Sequence, residues 1–426
     1  MDHTLADVLN RSCDCVSTDM DALSRLLGES MPAGWAESLV ASHPNLFAPL
    51  PVFVGGPELD AMRRTVAAME RVVALPAFVE RALTDADEAT RHAVGPNGGA
   101  RGVFLGFDFH LGADGPRLIE VNTNAGGALL QLVLAKAQRP CCEQVERAFD
   151  LPYDVSQLEA RIVSMFRQEL ALARPGAVLR HVAIVDDEPE GQFLQPEFEL
   201  FAALFARHGI RASVTDPAGL VRVGGTVCLA GDPEPIDLVY LRATDFRLAD
   251  PGHALLRAAH LDDAVVVTPP PRAHALYADK ANLAVLSDAA ALRELGASEE
   301  DIATLTTYVP ETHVVRDLPR DTLWAERKRW FFKPRDGFGS RAAYRGDKLT
   351  RRVFDEILGA PERYVAQQVV PPSERVGRGV GPLKLDVREF AYAGEVQMVA
   401  ARLYQGQTTN MRTVGGGMAA VLGARS

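Results

Sequence analysis

Between residues 177 and 270 short apolar runs alternate with helix-forming stretches, and this rhythm constrains the fold more than any other feature of the chain. Val182-Ala183-Ile184-Val185 has no polar face, so it reads as a strand buried on both sides. Residues 198–207 carry helical spacing and stop at Gly209, and residues 210–214 read as a strand again. Val227-Cys228-Leu229, Leu238-Val239-Tyr240-Leu241 and Val265-Val266-Val267 are further short apolar runs. Strands joined by helical crossovers pair in parallel, so this stretch predicts a small parallel sheet covered by helices. Residues 155–173 form the helix that leads into it.

The flanking segments have a different pattern, and the chain divides into 1–150, 151–270 and 271–426. The first part holds helices, a Pro-rich stretch at 43–51 and an amphipathic helix over 58–82. A strand follows at 102–109, then a turn at Ala113-Asp114-Gly115 and a second strand at 117–121. The third part begins at Pro269-Pro270-Pro271 and continues with a helix from about 279. Two strands around a Gly-containing turn come next (331–345), then a helix at 349–358 and strands at 364–370 and 385–404. The fold class is therefore α/β at the centre and α+β outside it.

The net charge of -11 argues against a broad nucleic-acid footprint. The apolar runs fall short of the roughly eighteen residues a membrane helix needs. The start of the chain lacks the basic and apolar segments of a secretory signal, which places the protein in the cytoplasm. Cys13, Cys15, Cys141, Cys142 and Cys228 have neither zinc spacing nor an even count, and read as reduced thiols.

Four stretches carry chemistry. In the first, alternation puts Glu120 and Asn122 on one strand face, and pairing brings Asp108 beside Glu120. Two carboxylates and an amide oxygen together make a hard-oxygen site suited to magnesium. In the second, an aromatic strand delivers Lys333 to a loop, Asp336-Gly337-Phe338-Gly339, whose backbone N–H groups can cradle phosphates. In the third, Gln368-Val369-Val370 ends a strand before two prolines and offers backbone groups to an adenine edge, with Glu374 for ribose hydroxyls. In the fourth, Asp386 and Arg388 share a face, with Arg402, Asn410 and a Gly triplet beyond. Each stretch also has a plain structural alternative, such as a polar hairpin, an ordinary turn, an edge strand or a surface ion pair.

Taken together, the four stretches resemble the ATP-grasp superfamily with its motifs in rotated order. The Asp108…Glu120-Val-Asn122-Thr-Asn-Ala-Gly segment looks like the closing motif of D-alanine–D-alanine ligase, yet here it comes first. Joining the chain ends and cutting elsewhere restores the usual order, as in glutathionylspermidine synthase and eukaryotic glutathione synthetase. Residues 185–190, 279–288 and 367–368 are similar to segments of those permuted relatives.

The resemblance implies a circularly permuted ATP-grasp fold around a central pre-ATP-grasp-like parallel-sheet domain. It implies ATP and Mg2+ as cofactors, with Asp108, Glu120 and Asn122 on magnesium. Lys280 and Lys333 would hold phosphates with the loop of Gly337 and Gly339, and Asp336 in that loop would be an extra metal ligand. Gln368, Val369 and Val370 would hold adenine, and Glu374 ribose. Asn410 would also face the nucleotide, and Arg388 and Arg402 would steady the phosphoryl group. Relatives carry an arginine two residues before the first metal-binding aspartate, where this chain has Gly106. The activity implied is ligation of a small carboxylate to an amine through an acylphosphate, releasing ADP and phosphate. The alternatives are an ATP-grasp kinase and a nucleotide-binding protein without activity. The partners implied are small molecules, with no nucleic acid and no membrane, and a homodimer is left open.

Overall fold

A computed structural model describes residues 4–14, 16–29, 31–112, 114–139, 142–337, 342–377 and 380–425. It is a mixed α/β structure built on four sheets. Gly339, Cys15 and Cys141 lie outside the described residues.

The largest sheet has eight strands drawn from both ends of the chain. Its path runs Val52–Val54, Gly417–Ala424, Glu395–Tyr404, Val380–Tyr392, Leu105–Gly112, Gly115–Asn122. Ser373–Gly377 pairs beside Val380–Tyr392, and Phe149–Asp150 beside the last strand. The helix Leu5–Ser12 packs at the same edge, where Ala6, Phe53 and Leu422 share a core cluster. Asn10 donates to the Phe53 carbonyl at 2.7 Å and accepts from its N–H at 3.0 Å, which ties the start of the chain to the strand beside its end.

The central segment forms a four-stranded, all-parallel sheet in the order Val266–Thr268, Leu238–Leu241, His181–Val185, Arg211–Thr215. The run at 227–229 is not part of it. It belongs to an antiparallel meander of Leu220–Val223, Thr226–Leu229 and Asp232–Pro235. Gly224 and Gly225, both at positive φ, form the two-residue turn that forces these strands antiparallel.

A fourth sheet, antiparallel, has the order Thr312–Val314, Tyr364–Gln368, Trp330–Pro334, Tyr344–Arg345. The expected helix at 58–82 is two helices, Gly56–Val73 and Pro76–Ala82, because Pro76 cannot supply the N–H that would continue the first. The expected strand at 385–404 is likewise two strands that turn at Ala393-Gly394, both with positive φ. No helix among the described residues is long and apolar enough to cross a membrane.

The first of the two helices, Gly56–Val73, covers one face of the large sheet, burying Met62, Val66 and Met69 against Val387, Val399 and Val421. The opposite face carries the polar grid from which the site is built.

Candidate functional site

Strand register sets the grid. Asp108 lies opposite Glu120 on one side and opposite Arg388 on the other, while Asp386 lies opposite Arg402. Side chains directly across a sheet share a face, so these five groups stand together. A bulge interrupts the register just after the Asp108–Glu120 pair and leaves Ile119 without a partner. The bulge turns the Ile119 carbonyl out of the ladder, and it accepts a 2.9 Å hydrogen bond from Lys333 Nζ.

Lys333 arrives from the smaller antiparallel sheet, where Gln367 Oε1 also accepts from it at 2.8 Å. Lys280 Nζ donates to the Gly337 carbonyl at 2.8 Å, and its backbone N–H donates to Arg335 at 3.0 Å. Arg335 in turn grips Asp279 through two hydrogen bonds, which fixes the lysine against the loop. Between the two sheets lies a cavity of about 310 Å³. Its walls include Glu120 and Asn122 from one side and Lys280, Lys333 and Gly337 from the other, with Gln368, Val369, Val370 and Glu374 farther along.

Burial governs the charges. It pushes the Lys333 ammonium down to about 8, with Glu120 opposing the shift and Lys280 adding to it. An arriving polyphosphate would favour the charged form. Binding of a nucleotide triphosphate is therefore expected to take up protons around pH 8 and much less at pH 6.5. Calorimetry in two buffers of different ionisation enthalpy should show the difference at pH 8, and Lys333→Met should remove it.

Asp108 differs from its expected role. Burial alone would raise its carboxyl, but Arg388 and Arg402 overcome this and hold it at about 2. Arg388 binds both its oxygens, at 2.6 and 2.7 Å, and Arg402 adds a contact at 2.9 Å. Asn122 donates to the same carboxylate at 3.1 Å. Asp108 is fully buried and does not line the cavity, so it serves as the anchor of two guanidiniums.

The magnesium expectation therefore fits in part. Glu120 and Asn122 present a carboxylate and an amide at the cavity wall. Magnesium held there would draw its remaining oxygens from phosphate and water, its usual manner at nucleotide sites. Among the described residues no three His, Cys, Asp or Glu side chains group as a metal site.

Other expected residues fall differently. Asp336 is exposed in the turn after Lys333 and does not line the cavity; Arg247 lies 3.9 Å from it. Asn410 shapes its own loop, donating to the Gln405 carbonyl and accepting from Arg412 N–H and Thr413 Oγ1. Its neighbours Thr408 and Thr409 line the cavity instead. The Val369 N–H is spent on the Arg329 carbonyl, while the Val370 carbonyl accepts from His110 and keeps a second lone pair.

His110 was missed, although it stands two residues from Asp108 and strand alternation alone would have placed it on the same face. Burial lowers its pKa, and with Nδ1 donating to Val370 its Nε2 is left as an acceptor. Arg345, Lys348 and Lys384 add positive charge to the cavity and are ordinary surface residues by sequence.

Gly106 resolves physically. Its backbone φ is not in the left-handed region, so freedom of rotation is not the reason for glycine. A Cβ there would stand 2.6 Å from Ala125 Cβ and 3.1 Å from Arg388 Nε. The Arg388 side chain occupies the space above this glycine.

No family model matches the chain, and no curated protein does. Among solved structures it is similar to a glutathione synthetase-like effector from Globodera pallida, with a TM-score of 0.55 and 11% identity over 95% of this chain and 98% of that one. A candidate gamma-glutamylcysteine synthetase from Methylobacillus flagellatus aligns at a TM-score of 0.46 and 10% identity, over 84% of each chain, too weakly to carry an argument. At such identity the first likeness establishes the fold alone.

Proposed function

We propose that the protein is an ATP-dependent ligase that joins a small carboxylate to an amine, with the permuted ATP-grasp arrangement as its scaffold. The observation that carries this reading is the cavity between the two sheets, where Lys280 and Lys333 face Glu120 and Asn122. Two buried ammonium groups opposite a carboxylate and an amide suit a triphosphate with its divalent cation. The likeness to the glutathione synthetase-like effector, over nearly the whole of both chains, supports the scaffold.

In this reading Lys280 and Lys333 bind the phosphates, and Glu120 and Asn122 hold magnesium, which would neutralise phosphate charge. A carboxylate oxygen of the substrate attacks the γ-phosphorus as the bond to ADP breaks. An amine then attacks the acylphosphate carbon, forming the C–N bond and releasing phosphate. Arg388 and Arg402, fixed by Asp108 and Asp386, stand ready to offset charge on the transferring group. The protein acts by positioning and preorganised charge, with no side-chain nucleophile required.

A second reading is a nucleotide-binding protein that does not turn ATP over. The full engagement of Asp108 by arginines favours it, because a carboxylate is withdrawn from the metal. ADP release that depends on both a carboxylate and an amine separates the two.

Glu120→Gln and Asn122→Ala are expected to lower ATP turnover about a hundredfold or more, since they act on charge neutralisation in the transition state. Their melting temperatures should stay near that of the parent. Turnover equal to the parent across a magnesium titration would remove these residues from the metal site.

A further inference from the structure

A second cavity, of about 170 Å³, opens on the far side of the Asp108 cluster. A single buried water needs roughly 10–15 Å³ by the same measure, so there is ample room for a small organic molecule. Arg388 and Arg402 line it, and the rest of its wall is mostly apolar, with Phe193, Leu194, Met411 and Met418. Phe193 is 46% exposed although it is a large aromatic, and its ring stands edge-on to His43 at 4.8 Å.

The guanidiniums have capacity to spare. Each directs Nε and Nη2 to the aspartates. Nη1 of each takes no partner among the described residues, and neither atom is sealed from solvent. Two fixed guanidiniums with unused N–H groups bind a carboxylate well, because Asp108 and Asp386 have already ordered them.

The position matters equally. Asn122 lines the first cavity and donates to Asp108, while Asp108 holds the two arginines of the second. Asp108, which accepts from Asn122 and from both arginines, thus links the walls of the two cavities.

We infer that this second cavity is the acceptor site, and that it takes a small monocarboxylic acid with an apolar body. The inference rests on the ligase reading for its chemistry, but the binding it claims is measurable alone. The wall favours the class: beside the arginines Gln131 is its one polar side chain among the described residues, so a second charge on the tail would be buried largely against Phe, Leu and Met.

The test is calorimetric titration of the full-length protein with phenylacetate, hexanoate, hexanamide, glutamate and succinate. Each runs with and without a non-hydrolysable ATP analogue and magnesium. Phenylacetate and hexanoate are expected to saturate, with hexanamide, glutamate and succinate at least tenfold weaker. Phe193→Asp and Met411→Asp, both at accessible positions, should weaken the two apolar acids about tenfold by placing like charge beside them. Affinity for the ATP analogue should not change in either variant.

Glutamate or succinate binding as well as hexanoate would overturn the apolar class. Failure of every acid, with and without the analogue, would overturn the site, while analogue binding in those same titrations would still judge the nucleotide reading. Apolar acids that bind and respond to both variants when the analogue does not bind would uphold the site and sink the nucleotide reading.

Discussion

Arg388→Ala is expected to abolish product formation while weakening ATP-analogue binding only a few-fold. The guanidinium lies over Gly106, and the resemblance puts the phosphate-steadying arginine at that position. A group that acts mainly on the transition state lowers turnover far more than ground-state binding. The substitution also has a structural effect, because Asp108 would keep only Arg402 as a cationic partner among the described residues. Breaking one side of a buried ion pair costs about 3–5 kcal/mol.

The two effects separate with Asp108→Asn/Arg388→Ala, which removes the uncompensated carboxylate as well. Folding should recover in this double variant and activity should not. Recovery of activity along with folding would show that Arg388 matters only as the partner of Asp108. Gly106→Arg alone is expected to clash with Ala125 and Arg388 and to restore nothing.

The largest expected gain in stability lies on the other face of the same strand. Glu389 is fully buried, and neither carboxylate oxygen finds a hydrogen-bond partner among the described residues. Burial pushes its pKa up to about 8, with only Arg63 opposing. Its folded value lies above the unfolded value near 4.5. The unfolded chain therefore holds fewer protons between pH 4.5 and 8, and stability falls as pH rises through that window. The full shift corresponds to roughly 5 kcal/mol. Glu389→Leu, close in volume, should raise the melting temperature markedly at pH 8 and flatten the pH dependence from 5 to 8. Chemical denaturation at several pH values checks both; equal slopes for parent and variant would mean that Glu389 has a proton-independent partner.

Much of the arrangement is legible in the sequence alone. The strand-turn-strand around Asp108 and Glu120, the parallel strands at 182–185 and 238–241, and the lysine strand at Lys333 all follow from local alternation and length. Local pattern misled where a single residue changes chain direction. Pro76 split a helix, Gly224-Gly225 reversed a strand, and Ala393-Gly394 divided what read as one segment. Those signals were present in the sequence, but apolar runs on both sides outweighed them.

The partner of each charged group was not legible, because it depends on elements far apart in the chain. Asp108 and Arg388 are 280 residues apart and sit directly opposite each other in the sheet. By alternation Asp108 is equally suited to a metal or to an arginine, and the packing of three strands decided for the arginines. The Ile119 bulge is similar: nothing in Arg-Leu-Ile-Glu announces that one carbonyl leaves the ladder to meet Lys333. The sequence by itself determined which residues face which side of each strand, since side-chain alternation is a property of the backbone. Only the tertiary structure decided what those faces meet, since burial, pairing and charge compensation depend on which distant strands become neighbours.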